Sequence, residues 1–239
     1  MIMETYGDLS AHEILNKVAA VAAKACVNVL LWGRPGSGKS WLARHLALLA
    51  DQRVFPYALS DQTPAAEIRG HFIPSAPQGT LEYVFTPGPI LQAYRCGGRV
   101  VFDEIDQGGS DTYPMLLAGL DSRATAGILI PHTGEIVRPA PGFSCWATTN
   151  ADPKSLPPAL LDRFPIRLHV DSPSDGAFEA LPADLRDAAR QTWEEHGFRA
   201  WLAVAQMREA GADFGLALRA CFGDAAETLA EAISIAGAE

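Results

Sequence analysis

Five short apolar runs punctuate the chain: "CVNVLLW" (26–32), "RVFPYALS" (53–60), "GRVVFDEID" (98–106), "GFSCWATTN" (142–150) and "PIRLHV" (165–170). Each is near-continuous in apolar character, partly β-branched or aromatic, and ended by glycine or polar residues, the pattern of strands buried on both faces. Pro56 predicts an edge position or a short strand for the second, because proline cannot donate to a ladder. Between the runs, apolar residues return at helical spacing in 10–24, 40–50, 90–96, 113–122 and 158–164. Ser10 and Glu13 fit a capping box for the first helix. Two stretches break the alternation: "GHFIPSAPQGTLEYVFTPGP" (70–89) and "GILIPHTGEIVR" (127–138). Both read as hairpins, turning at "PQG" and "HTGE".

Beyond Asp171 the chain carries alanine-rich helical patterns and no strand candidate. We therefore expect a boundary near residue 170, with an α/β domain over 1–170 and a small all-helical domain over 171–239. Strands alternating with helices predict a five-stranded parallel sheet sandwiched by helices, with two β-hairpin insertions. On such a sheet, ligands sit at the carboxyl ends of the strands. Gly33, Asp103 and Asn150 all fall just past a strand end.

Composition adds limits. The chain has 239 residues, 48% hydrophobic and 20% charged, which is ordinary globular usage. Net charge is −9, with basic runs no longer than two residues, which argues against a general nucleic-acid binder. No apolar run approaches the ~20 residues a membrane helix needs. The acidic start, "MIMETYGDLSAHE", lacks an export pattern, so the expectation is a cytoplasmic protein with no membrane partner. Cys26, Cys96, Cys145 and Cys221 form no metal-type spacing and are expected to be free, mostly buried thiols in a reducing compartment.

The chemistry concentrates after the first strand. "GRPGSGKS" (Gly33, Arg34, Pro35, Gly36, Ser37, Gly38, Lys39, Ser40) fits the phosphate-binding loop G-x-x-x-x-G-K-[ST], followed by Trp41 at the head of a helix. Gly36 and Gly38 let the backbone curl so that successive N–H groups face an anion. The helix adds the positive end of its dipole. Lys39 is expected on the β and γ phosphates and Ser40 on Mg²⁺. At the end of the third run, Asp103 is the candidate second metal ligand and Glu104 the carboxylate that polarises an attacking water. Asp106 is either a third acid or a solvated loop charge.

"GRPGSGKS", "VVFDEID", "CWATTNA" and "ALLDRF", in this order, resemble the AAA+ ATPases. The segment "FTPGPILQAYRCGG" narrows the likeness to the MoxR-like and dynein-related branch, with one hairpin inserted into the second helix of the fold and another before the sensor strand. The resemblance implies ATP and Mg²⁺ as cofactors and the phosphate-loop NTPase fold with a small helical lid. It implies Asn150 as sensor 1, holding the attacking water or γ phosphate, and Arg163 as an arginine finger reaching a neighbouring subunit's site. Arg219 is the candidate for sensor 2, with Arg186 and Arg208 as competitors. It further implies a homo-oligomer, a hexameric ring in the family, that remodels a client protein through an adaptor such as a von Willebrand-type domain protein. Phe72 and Ile73 are candidates to grip that client or to pack on the sheet, Phe85 is expected to pack, and His132 is expected as a solvated turn residue. "ETYGD" near the start is a candidate lining for the base pocket. A nucleic-acid motor, a nucleotide-gated scaffold and a small-molecule kinase are the alternatives; intact Lys39, Glu104 and Arg163 argue against the scaffold, and the Asp-Glu pair against a kinase.

Overall fold

The computed structural model describes residues 11–76, 81–122 and 124–236. The Ser10 cap, the "ETYGD" segment and the "PQG" turn lie outside the described residues. The chain divides into two compact units: one holds the chain up to Gly33 together with Lys39–Val170, the other Arg34–Gly38 together with the chain from Asp171 on.

The first unit is a parallel five-stranded sheet. Its strands are β1 (Val29–Trp32), β2 (Val54–Ala58), β3 (Arg99–Asp103), β4 (Ser144–Thr149) and β5 (Ile166–His169), in spatial order β2-β3-β4-β1-β5. The five apolar runs are these five strands, and Pro56 does lie on the edge strand β2. The three central strands are the most apolar because helices cover both their faces. On one face Leu30, Val100, Phe102, Cys145 and Ala147 pack with Ile68, Ile90, Leu91, Tyr94 and Leu116. On the other, Val29, Leu31, Val101 and Trp146 pack with Ala19, Ala22, Leu42 and Leu46. Those last four come from α1 (Ala11–Lys24) and α2 (Lys39–Leu49).

Both insertions are hairpins. Gly70–Ser75 pairs antiparallel with Glu82–Pro87, and Ile128–Leu129 with Ile136–Val137. The first hairpin follows α3 (Ala65–Arg69) and precedes α4 (Pro89–Cys96). Phe72 and Ile73 are exposed, as are Tyr83 and Val84, whereas Phe85 is half-buried against the core. His132 is exposed yet is not merely solvated: its ring packs 4.7 Å from Phe72 and 4.8 Å from Phe85, joining the two hairpins.

Two further helices belong to the first unit, α5 (Thr112–Gly119) and α6 (Pro158–Asp162). Among the described residues the second unit from Asp175 on is helical: α7 (Asp175–Glu179), α8 (Ala183–His196), α9 (Phe198–Glu209), α10 (Phe214–Phe222) and α11 (Ala226–Ala236). Ser174 and Asp213 cap α7 and α10 by accepting from the N–H groups of Ala177 and Leu216. Its core gathers Phe178, Leu185, Trp193, Trp201, Leu218 and Leu229.

The cysteines depart in part from the sequence expectation: all four are free, as expected, but not mostly buried. Only Cys145 is buried; Cys26 and Cys221 are half-buried and Cys96 is exposed. Cys26 ends a left-handed turn after α1 (φ 53°) and Cys96 ends α4, so proximity to an apolar run did not place either inside. Arg99 is the opposite case, a charged residue that is fully buried. Its guanidinium donates to Ser144 Oγ, the Ala43 carbonyl and Gln52 Oε1, and stacks 4.3 Å above the Trp146 ring. Burial lowers its pKa to about 10, which still leaves it charged at neutral pH.

Arg99→Ala should lower stability by about 3 kcal/mol, since it removes three hydrogen bonds of a buried guanidinium and opens a cavity over Trp146. Arg99→Met, which refills the volume, should lose about 1 kcal/mol. Urea unfolding midpoints at constant slope check both.

Candidate functional site

The loop after β1 has the backbone that the sequence demanded. Gly36 and Gly38 have φ of 81° and 90°, conformations that a side chain resists. A Cβ on Gly33 would sit 2.4 Å from the Val170 carbonyl oxygen, so the strand end and loop start need glycine for space as well. Lys39 is buried at the head of α2, its Nζ donating to the Gly33 carbonyl at 2.9 Å. Ser37 is buried, and its hydroxyl has no hydrogen-bond partner among the described residues. The left-handed glycine pair and the unpartnered Ser37 hydroxyl suit an anionic phosphate tail, and a buried ammonium at a helix N-terminus suits one too.

Arg34 and Pro35 are exposed, and Arg34 pairs with Glu194 of α8 at 2.5 Å within the second unit. Trp41 is exposed on α2 and stacks on His45. Beside the loop start, Trp32 stacks on His169 across β1 and β5 at 3.9 Å.

The acids stand at the end of β3. Asp103 is held from two sides: Thr148 Oγ1 donates to its Oδ1 at 3.0 Å, and Arg44 Nη2 lies 2.6 Å from its Oδ2. Glu104 is exposed and left-handed (φ 58°, ψ 53°), and its N–H donates to the same Thr148 hydroxyl at 3.2 Å. The register of β3 on β4, with Phe102 opposite Ala147, brings Asp103 level with Thr148. Asn150 is exposed one residue past β4. Asp106 accepts from the Gln107 side chain through Oδ2, and its buried Oδ1 has no partner among the described residues. Ser40 lies on α2 four residues before Arg44, hence on the same helix face.

Arg163 lies elsewhere. It follows the short helix α6 (Pro158–Asp162), and its carbonyl accepts from Asn28 Nδ2 just before β1. β1 therefore separates it from the loop by roughly 16 Å of extended chain. Its Nε donates to the Leu117 carbonyl, and its guanidinium faces Asp121 at 3.4 Å and Asp162 at 3.2 Å. The Ser122 N–H, then Thr125 and Arg163, hold the Asp121 carboxyl below its usual range. A cleft of about 320 Å³ opens here, lined by Cys26, Asn28, Asp121, Phe143 and Arg163 among others.

In the second unit Arg219 is exposed and pairs with Glu227 at 3.2 Å. Arg208 pairs with Asp184 at 2.6 Å and lies over the Phe214 ring, while Arg186 donates to the carbonyls of Leu181 and Glu179.

Sequence reasoning missed Thr148, Arg44, Asp121 and Asn28. Thr148 had a signal: it stands two residues before Asn150, on the same face of the strand. Arg44 had one as well, four positions after Ser40. Asp121 and Asn28 had none short of the fold itself.

A parallel sheet of this order, with a glycine loop after its central β1 and acids after its neighbour but one, defines a phosphate-loop nucleotide hydrolase fold. The chain belongs to the AAA domain family, dynein-related subfamily, whose model matches residues 28–164. An uncharacterized protein of Staphylococcus aureus strain USA300 is 34% identical over 148 residues, covering 60% of this chain and 55% of the relative. Its counterpart in strain NCTC 8325 matches to the same extent. The chain thus spans about half the length of these relatives. A crystal structure of a protein assigned as an ATPase, from Cytophaga hutchinsonii, shares the fold with a TM-score of 0.52 at 15% identity, covering 80% of this chain and 67% of that one. Among the described residues, no helix is long and apolar enough to cross a membrane.

Thr148→Val keeps the strand volume and removes the hydroxyl shared by Asp103 and Glu104. Under the reaction proposed below, turnover would fall at least tenfold while nucleotide affinity changes less than twofold, because the loop is untouched. Steady-state hydrolysis beside a fluorescent-nucleotide titration reads the two separately.

Proposed function

We propose that the protein hydrolyses ATP to ADP and phosphate at a site completed by a second copy of the chain, and uses the cycle to remodel a partner protein in the manner of MoxR-like members. The observation that carries this reading is the separation along β1. The loop, the acids and Asn150 stand at the carboxyl ends of the strands, whereas Arg163 is anchored at the amino end of β1. An arginine so placed cannot serve its own loop, but it can serve a neighbour's.

In this reading the loop N–H groups and Lys39 bind and orient the triphosphate. Ser40 and Asp103 would hold Mg²⁺, which when bound would take up charge on the phosphate oxygens. Glu104 orients the attacking water and accepts its proton, and Asn150 fixes its position. Arg163 of the adjoining copy spreads its guanidinium over the charge that develops on the transferred group. Arg34, Pro35 and Trp41 flank the bound nucleotide, and Arg219 is the candidate to approach it from the helical domain, 171–239. Hydrolysis then depends on assembly, and a hexameric ring is the arrangement the family favours. Exposed Phe72, Ile73, Tyr83 and Val84 on the first hairpin support contact with a protein client or a von Willebrand-type adaptor. The acidic net charge supports a protein client rather than nucleic acid.

Glu104→Gln should bind ATP and assemble as the native chain does while hydrolysis falls at least a hundredfold, measured by nucleotide titration, sizing and phosphate release. Arg163→Ala should keep nucleotide affinity and lose about 10³-fold in turnover. Mixing it with Lys39→Ala, which supplies intact fingers but no working loop, should restore part of the lost rate. Arg163→Ala chains that hydrolyse ATP normally would refute the shared site.

A further inference from the structure

We propose that Arg44 is a resident counter-ion of the metal site, a guanidinium that holds Asp103 when Mg²⁺ is absent and must yield when it arrives. This rests on the nucleotide-hydrolase reading of the site and adds a regulator of its metal requirement.

The geometry is specific. Ser40 and Arg44 share one face of α2, so the helix that offers a metal-binding hydroxyl also delivers a fixed positive charge to the same place. Both oxygens of Asp103 are engaged, Oδ1 by the Thr148 hydroxyl and Oδ2 by Arg44 Nη2 at 2.6 Å. Thr148 is neutral and supports Asp103 in either state. Arg44 is a cation on the oxygen left to a metal, and two cations cannot crowd one carboxylate oxygen without repulsion.

Chemistry limits how the conflict resolves. A guanidinium does not lose its proton in a protein, so Arg44 can yield only by moving. It has the freedom to do so: its side chain is 46% exposed, against 15% for Asp103. A half-exposed pair is weakly held, so a divalent ion held by Ser40 and Asp103 would displace it. Without metal, Arg44 has a second effect. It neutralises Asp103, which would otherwise face the triphosphate as an uncompensated negative charge. Arg44 therefore opposes Mg²⁺ and favours metal-free nucleotide, two effects of opposite sign from one side chain.

The test is titration of N-methylanthraniloyl-ATP fluorescence with the full chain, at fixed nucleotide against rising Mg²⁺, and separately in excess EDTA. Arg44→Gln should lower the half-saturating Mg²⁺ by about fivefold, the scale of a half-exposed ion pair. It should weaken nucleotide binding in EDTA by a similar factor. Arg44→Lys, which keeps the charge, should restore most of both values. In an Asp103→Asn background, Arg44→Gln should change neither, since the carboxylate it balances is gone. An unchanged or raised Mg²⁺ midpoint in Arg44→Gln, whether or not its thermal midpoint shifts, overturns the proposal and leaves Arg44 a structural surface residue. Native protein that binds no nucleotide at any Mg²⁺ concentration overturns the nucleotide-hydrolase reading itself, which separates the two failures.

Discussion

The register that locks β1, β3 and β4 together is the constraint on which the site depends. Val29 to Trp32 pair with Trp146 to Thr149, and Arg99 to Phe102 pair with Ser144 to Ala147. That alignment sets Asp103 beside Thr148 and puts the start of the glycine loop level with the end of β4. A slip by one residue would turn every side chain of a strand to the other face of the sheet. Burial on both faces does not by itself forbid such a slip, because apolar residues line both sides. Polar contacts within the sheet discriminate instead. Arg99 reaches Ser144 on the neighbouring strand, and the Asn28 side-chain oxygen Oδ1 accepts the Cys145 N–H. A shift of either strand would strand a buried charge or a buried amide, at a cost of several kcal/mol.

Asn28 ties this register to the far end of the unit. Its side-chain nitrogen donates to the Arg163 carbonyl at 3.2 Å and reaches Leu120, while its oxygen takes the β4 amide. One residue before β1 thus fixes the backbone of the arginine, and four residues later the same strand releases the phosphate loop. The two ends of β1 carry complementary halves of a site that, in the proposed reaction, only two copies can assemble. In that proposal, the strand between them gives movement of the arginine a short, packed route to the loop. The route is a matter of contiguity, and coupling along it is a separate energetic question.

The backbone plan was legible because its signals are local. Continuous apolar runs named the five strands, Pro56 pointed to an edge or a short strand, and paired extended pieces named both hairpins. The loop and the acids were legible because the chemistry confines residue type and spacing within a few positions. What stayed hidden depends on residues far apart in sequence. Nothing near Arg99 in the sequence foretells Gln52, Ala43 and Trp146 around it. Nothing within a few residues of Arg44 marks its partner, Asp103, which lies 59 positions on. His132 sat in a plain turn until the first hairpin supplied Phe72 and Phe85. The cysteine expectation failed for a related reason: burial belongs to a position on an element, and Cys26 and Cys96 stand where elements end.

The step from Asp103 to Glu104 shows how finely the acids are placed. In continued strand geometry, neighbouring side chains point to opposite faces of the sheet. Two adjacent carboxylates would then be divided by the sheet, and only one could serve the crevice above the loop. The left-handed turn at Glu104 ends β3 at once and leads into the 3₁₀ turn Ile105–Gln107. For a residue with a Cβ that turn costs about 1 kcal/mol. The hydrogen bond from its N–H to Thr148 returns about the same. The two terms nearly cancel, so the conformation of Glu104 hangs on a hydroxyl that belongs to the neighbouring strand. That hydroxyl also holds Asp103. A single threonine on β4, two residues before Asn150, therefore sets the spacing between the candidate metal ligand and the candidate base, and any shift of β4 against β3 must move both acids together.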